Sequence, residues 1–430
     1  MYAVTGVEFH RTEAIRKAQA IVSADTVSGD QYLQSGRQFT NVFNTLSWCK
    51  VSQAQAGEWV SWGKRHLGEP DGSIRQSIWW TNRWSRNNPA NNYFHSFILA
   101  TSAYAMATGD KKWLGWLRTD RLPRMGSYYA TTPEGGSREG TGYGESHRNV
   151  FTIARVWREY DGTEVLPQEF IDNSIRYWTH ATAPGHGWVA LIGDQTRTHG
   201  RTDGYHRDII DNAMQIAKDP EAIAIGKWQI NRLPQLGSTF YGLVLRDYSD
   251  DGHPPSETEY HAVGAGHFFA RDSWTDNATF LIFTAGKHDE AHQQEDQGGF
   301  AVWSKGQWQT ASDSPWTHGG IEQDVSAQNV VRFPSAENIH NSVSTLTWTK
   351  EPGRLVVEMD LTPAIGQPWK RVVAWKPGSQ VLDIIDLFES KDAEFGFEKP
   401  SEDDARAPYS SGAEAKVQLT PDGFRSVILW

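Results

Sequence analysis

The chain has 430 residues, room for two or three domains, and its 22% charged and 38% hydrophobic residues exclude a disordered polypeptide. A net charge of −11 argues against a general nucleic-acid binder, and no apolar run approaches the roughly 20 residues that cross a bilayer. Cys49 is the only cysteine, which excludes an intrachain disulfide and a thiolate metal cluster; its neighbours Trp48 and Val51 suit a buried small apolar residue.

The first part of the chain, to about residue 240, reads as helical hairpins joined by loops. Ile15, Ala18, Ile21 and Val22 follow helical spacing, and Phe94, Phe97, Ile98, Thr101, Tyr104 and Ala105 do so more strongly. Further helices are expected over 146–160, 167–181, 205–217 and 220–231, punctuated by Pro-Gly and Gly-Gly loops at 133–136 and 184–187. No strict repeat is present, yet stacked helix pairs are a reasonable inference. Of the twenty tryptophans, Trp113, Trp116, Trp157 and Trp178 lie in helical patterns and are expected in the core. Trp79, Trp80 and Trp84 sit beside the polar stretch 85–92 and suit stacking on a flat polar ring.

After about residue 245 the texture changes to short β-type runs at 266–271, 279–284, 300–304, 342–348, 354–361, 371–375, 380–388 and 423–430. Turn clusters at 350–353 and 376–379 separate some of them. The segment 237–260 is the expected boundary, and 398–416 reads as a polar excursion before the last strand. The expectation is an α+β multidomain chain, with a helical domain over 1–245 and an antiparallel β-sandwich over 246–430.

Chemistry concentrates in four places. Residues 288–300, HDEAHQQEDQGGF, put two histidines and four acidic groups between two apolar strands, where burial without partners is costly. The segment is therefore expected to line a cleft. His288, His292 and Asp296 recur every four residues, but Gly298-Gly299 and the flanking strands argue against a helical metal face. His292 is the preferred imidazole for catalysis, with Asp296 as its orienter or as a structural anchor. Residues 134–147, EGGSREGTGYGESH, form a glycine-rich loop that allows close substrate approach, with Tyr143 between two glycines. A phenol with the usual pKa of about 10 is a ready acid at neutral pH, and a cationic neighbour such as Arg138 or Arg148 lets it also serve as base. Asn91 and Asn92 open the helix beginning near Tyr93; either can cap it, and either can donate an amide to a carboxylate at the positive helix end. His95 lies three positions on. Arginines crowd the same regions: Arg83, Arg86, Arg138, Arg148, Arg197, Arg201 and Arg207, whose planar forks suit carboxylates and sulfates as well as ordinary ion pairs.

These residue types match the three tasks of β-elimination from a uronic acid: neutralising the sugar carboxylate, removing the C5 proton and protonating the leaving O4. The order of Asn-Asn at a helix start, a GGS-x-EG-x-G-Y loop, an H-x-x-x-D-x-x-x-F turn and a final His340-Asn341 resembles the heparinase II/III-like polysaccharide lyases and the related alginate and oligoalginate lyases, over roughly residues 80 to 345. The resemblance implies an N-terminal incomplete (α/α) toroid followed by an antiparallel β-sandwich, with the active site in the cleft between them. It also implies that Asn92 neutralises the carboxylate, that Tyr143 is the acid and even the base, that His292 is the catalytic histidine and that His340 completes the site. Asn91, His95, Trp84, Arg83, Arg86, Arg138, Glu139, Arg148, His199 and Arg201 are the expected substrate-binding residues.

The chain departs from the family's H-x-H-x-D pattern by placing Gln294 where a zinc-binding histidine often sits. No cofactor is expected to be required for catalysis; a structural divalent metal, with Asp313 and His340 as candidate ligands, stays open. The helical part is short for the family, which implies a more open cleft and internal, endo-type cleavage. The expected partner is an acidic polysaccharide, with neither nucleic acid nor membrane. The first residues lack the order of a secretory signal, so a secreted, periplasmic or phage-borne origin stays open, as does the oligomeric state. Two other readings compete. One is an (α/α) toroid glycoside hydrolase using a carboxylate pair from Glu134, Glu139, Glu145, Asp194 and Asp203. The other is a non-catalytic glycan-binding module or virion adhesin.

Overall fold

The computed structural model describes residues 6–26, 33–70, 87–194, 200–202, 204–234, 250–310, 325, 328–397 and 412–430. The chain divides into two compact units, residues 1–130 with 149–167, and residues 131–148 with 168–430.

The first unit is helical. Its helices are Glu8–Ala24, Leu33–Trp48, Gln53–Leu67, Asn92–Thr108, Lys111–Trp116 and Leu122–Tyr129, together with most of His147–Asp161. Their starts carry local chemical reasons. Ser52 and Gln55 form a reciprocal capping box, Asp110 accepts from the amides of Lys112 and Trp113, and Asn91 accepts from Tyr93 N. Leu33–Trp48 packs on Asn92–Thr108, where Gly36 N donates to Ser96 Oγ at 2.9 Å. Phe39, Phe43, Trp62 and Tyr104 build an aromatic core. Trp157 reaches into the same unit and donates Nε1 to Ser102 Oγ at 3.0 Å. Trp113 and Trp157 are buried as expected, and so is the free Cys49, whose thiol burial pushes upward.

The second unit joins the helices Gln168–His180, Gly204–Met214 and Pro220–Arg232 to fifteen strands among the described residues. In chain order these are β1 (Glu259–Ala262), β2 (His267–Arg271), β3 (Phe280–Thr284), β4 (Lys287–His288), β5 (Phe300–Ser304), β6 (Gln307–Thr310), β7 (Val331–Arg332) and β8 (Ser342–Val343). They are followed by β9 (Thr345–Glu351), β10 (Arg354–Asp360), β11 (Trp369–Trp375), β12 (Val381–Phe388), β13 (Glu394–Phe395), β14 (Glu414–Thr420) and β15 (Gly423–Leu429). Every pairing among the described strands is antiparallel. One sheet runs β1-β2-β3-β5-β6 and the other β14-β15-β12-β11-β10-β9. Strands β2, β3 and β5 are buried along their whole length, whereas β12 alternates buried and exposed residues, the pattern of a sheet with one wet face. Phe268, Leu281, Phe283 and Val302 from the first sheet share one buried cluster with Leu355, Val357, Trp375, Leu382 and Ile384 from the second. Trp178 is buried in the helical part of this unit.

Several expectations need correction. The segment read as a polar excursion yields the strand β14 from Glu414 onward, while 398–411 lie outside the described residues. The expected boundary 237–260 contributes Glu259 and Tyr260 to β1, and 235–249 lie outside the described residues. No helix among the described residues is long and apolar enough to cross a membrane.

Candidate active site

The polar run 288–300 connects the buried strands β3 and β5, and its backbone is held by its own side chains. Gln293 Oε1 accepts from the amides of Asp289 and Glu290, both at 2.7 Å, while Gln293 Nε2 donates to Lys287 O at 2.7 Å. Gln297 Oε1 accepts from Gly286 N at 2.9 Å, and Gly298 N donates to Thr284 O at 2.7 Å. Arg371 closes the far end. It is fully buried, forks onto Asp386 at 2.7 and 3.0 Å, and donates Nη1 to Gly298 O at 2.6 Å and Asn329 O at 3.1 Å. The loop is thus fixed to the strand β11 of the second sheet.

The glycine-rich loop is fixed as tightly. Gly140 has φ +83°, and a Cβ there would lie 2.0 Å from Ile192 O; Gly193, φ +67°, would place a Cβ 2.3 Å from Glu139 O. Only residues without a side chain allow the two backbones to cross this closely, in a conformation other residues rarely adopt. Thr141 N donates to Ile192 O at 3.0 Å across the same crossing, and Thr141 Oγ1 donates to Ala190 O. One segment then carries Tyr143, at the end of the short helix Gly140–Tyr143, and the other carries Asp194.

Here the two loops meet. The Tyr143 and His292 rings stack with centroids 3.4 Å apart and planes 15° from parallel. Asp194 N donates to His292 O at 3.1 Å, and His292 Nδ1 lies 3.3 Å from Asp194 Oδ2, within ion-pair range but long for a hydrogen bond. The Asp194 side chain is fully buried, and the His292 side chain keeps 14% exposure. The group behind the imidazole is therefore Asp194 and not Asp296. Asp296 takes the anchoring role instead: it bonds to the Thr284 hydroxyl inside the protein, and burial pushes its carboxyl up to about 7. The sequence offered Asp194 only among the carboxylates of the hydrolase reading and not as a partner of His292; its neighbour Gly193 was the available signal of a constrained turn.

The other expected site residues fall as follows. His340 is exposed and packs edge-on against His288, ring centroids 5.5 Å apart, at the head of the loop that carries His292. Burial and then His340 hold the His288 imidazole below its usual range. Asn341 N donates to His288 O at 2.6 Å. Arg138 is buried; its Nε donates to Gly264 O at 2.9 Å, its Nη2 to Thr131 Oγ1 at 2.8 Å, and its Nη1 lies 3.6 Å from Asp289 Oδ2. Lys287 Nζ sits 2.5 Å from the same carboxylate oxygen. Glu139 is buried beside the crossing. Arg148 lies 3.6 Å over the Tyr205 ring and Arg201 5.2 Å over the Trp188 ring.

In the first unit, Asn91 is the cap, its Oδ1 accepting from Tyr93 N at 2.9 Å, and Asn92 is the buried first residue of the helix. His95 is fully buried, 2.7 Å from Pro89 O and 3.2 Å from Tyr129 Oη, and burial pushes it down to about 4. Trp79, Trp80, Trp84, Arg83, Arg86, Arg197, His199, Asp203, Asp313 and the Glu145 side chain lie outside the described residues.

Among the described residues nothing forms a zinc site of the kind the resemblance implies, and Asp313 lies outside them. Gln294 Oε1 accepts from Gln328 Nε2 at 3.3 Å, and no group of three or more His, Cys, Asp or Glu among the described residues could hold a metal ion.

No family model matches the sequence, and no curated protein matches it. Solved structures do. Heparinase III superposes with a TM-score of 0.63 at 13% identity, covering 100% of this chain and 72% of that one. A mutant of heparan sulfate lyase HepC from Pedobacter heparinus gives 0.60 at 13% identity, covering 99% and 71%. The Streptomyces coelicolor A3 chondroitin AC lyase, in complex with chondroitin sulphate, gives 0.51 at 9% identity, covering 100% and 77%. The chain has a heparinase-like polysaccharide lyase fold. The α+β organisation, helices followed by antiparallel sheets, is what that fold predicts; at these identities the likeness concerns the fold alone.

Proposed function

We propose that this chain is a polysaccharide lyase that cleaves a uronic-acid-containing polysaccharide by β-elimination, acting internally on long chains. The observation that carries the reading is the stacked Tyr143–His292 pair backed by Asp194, on a fold shared with heparin and chondroitin lyases. In the finer architecture proposed, the helices form an incomplete (α/α) toroid and the two sheets a β-sandwich.

Elimination needs a base at C5 and an acid at O4, and a phenol beside an imidazole supplies both kinds of group. Tyr143 donates its proton to the departing O4 oxygen, and His292, whose ring nitrogen can hold a proton, accepts the one from C5. Tyr143 can serve as the base as well. Asn92 offers its amide to the substrate carboxylate, favouring the negative charge that develops as the C5 proton leaves. His340, on the exposed side of His288, completes the sugar contacts. In this reading each proton transfer falls to a side chain of the chain itself.

Incubation with alginate, hyaluronan, heparan-type, chondroitin and glucuronan chains, followed by ultraviolet absorbance, tests the proposal. The expected outcome is a conjugated unsaturated product from at least one polymer and a loss of roughly 10²–10⁴-fold in rate on Tyr143→Phe. New reducing ends without absorbance would replace the lyase with a hydrolase, and binding without either product would leave an adhesin.

A further inference from the structure

We propose that Asp194 is a positioning residue that fixes the tautomer of His292, so that Nδ1 carries the ring proton and Nε2 is the nitrogen that exchanges protons with substrate. The inference rests on the lyase reading for its catalytic consequence, but its geometric content stands without it. Asp194 meets His292 at two points: its backbone amide donates to His292 O at 3.1 Å, and its carboxylate Oδ2 lies 3.3 Å from Nδ1, an ion-pair contact without hydrogen-bond geometry. A fully buried carboxylate at that distance favours a proton on the facing nitrogen, because a neutral imidazole must choose one nitrogen for its single N–H. The long separation is of the kind that tightens when substrate excludes water from the site.

The contact is prepared by the backbone. Asp194 follows Gly193 directly, and the Gly140–Gly193 crossing sets the register between the segment bearing Tyr143 and the segment bearing Asp194. Tyr143 covers one face of the imidazole at 3.4 Å, so the ring cannot turn about its bond to Cβ without breaking the stack. Asp194 selects the nitrogen and Tyr143 holds the plane. Neither group alone determines both. The Tyr–His pairing was readable as chemistry; the third member is what makes one defined nitrogen available.

The test uses the full chain and its Asp194→Asn and Asp194→Ala variants. Imidazole ¹⁵N NMR of His292, assigned by loss of its signals in His292→Gln, reports which nitrogen bears the proton. The wild type is expected to show the Nδ1–H form as the main species above the pH at which the ring becomes neutral, and both variants to shift toward Nε2–H. Against the polymer that gives the conjugated product, Asp194→Asn is expected to lose about 10²–10⁴-fold in kcat with KM within about threefold, the pattern of a lost transition-state contribution. Nδ1–H persisting in both variants, or a loss confined to KM, overturns the proposal. If the wild type acts on no polymer, the lyase reading fails while the tautomer measurement still decides whether Asp194 controls His292.

Discussion

Asp296 and His95 show how one force, burial, gives opposite pH dependence. Burial lifts the Asp296 carboxyl to about 7 from an ordinary value of 3.8. Between those values the folded chain keeps a proton that the unfolded chain has released, so stability falls as pH rises through the window and the loss is complete above pH 7. Asp296→Asn keeps a group able to bond to Thr284 and removes the ionisation. It is expected to raise the thermal midpoint at pH 8, by up to about 4 kcal/mol of stability, with little change at pH 4. An equal effect at both pH values would contradict the assignment. The residue types at the site were legible: Tyr143 among glycines, and His292 in a polar loop between apolar strands. The pairing of Asp194 with His292 was not, because an ion pair between distant segments leaves no periodic trace, and the same is true of the buried His95, whose surroundings depend on Pro89 and Tyr129.

The Gly140–Gly193 crossing is the element on which the site's geometry turns. Gly140→Ala forces a Cβ to within 2.0 Å of Ile192 O in a left-handed conformation, so one backbone must move. The expected cost is at least about 2 kcal/mol, with activity falling more than the thermal midpoint implies because Tyr143 and Asp194 lose their register. A variant with wild-type melting and wild-type rate would show that the crossing is dispensable. The Arg371–Asp386 pair sets the other loop. Arg371→Met leaves the Asp386 carboxylate buried without its fork and is expected to cost about 3–5 kcal/mol in chemical denaturation, whereas Arg371→Met with Asp386→Leu should recover most of it. No recovery in the double variant would mean that the carbonyl bonds to Gly298 and Asn329, together with the Trp369 indole N–H left without Asp386, dominate. Helices with clear apolar periodicity, such as Asn92–Thr108, were readable in advance, and β5 falls on the expected residues. The helices Leu33–Trp48 and Gln53–Leu67 were not, since their aromatic residues are diluted by glutamine, serine and threonine; the capping box at Ser52 and Gln55 was the missed signal.

At the scale of the whole molecule, several buried histidines among the described residues oppose the raised Asp296 carboxyl. Burial lowers His95 and His186 to about 4, His267 to about 3 and His180 well below the usual range. A histidine whose folded value is lowered contributes stability above its unfolded value of 6.5 and loses it as pH falls toward the folded value. For His95 the swing is on the order of 3 kcal/mol, and several such groups outweigh the opposite swing of Asp296. The thermal midpoint is therefore expected to drop between pH 7 and pH 4.5; a midpoint that rises on acidification would refute this ledger of signs. The overall order of helices before antiparallel strands was visible in composition, because apolar spacing changes period near residue 245. Which strands neighbour which was not, since β12 pairs with β15 across the intervening segment. Arg371 binds Gly298 O from within the core of the second sheet. A loop riveted to a sheet interior is preorganised before any sugar arrives, so binding need not spend free energy on ordering it. On the proposed lyase reading, the polymer must then adapt its ring shape to a rigid mould, and selectivity among uronates becomes a matter of which sugars distort most readily.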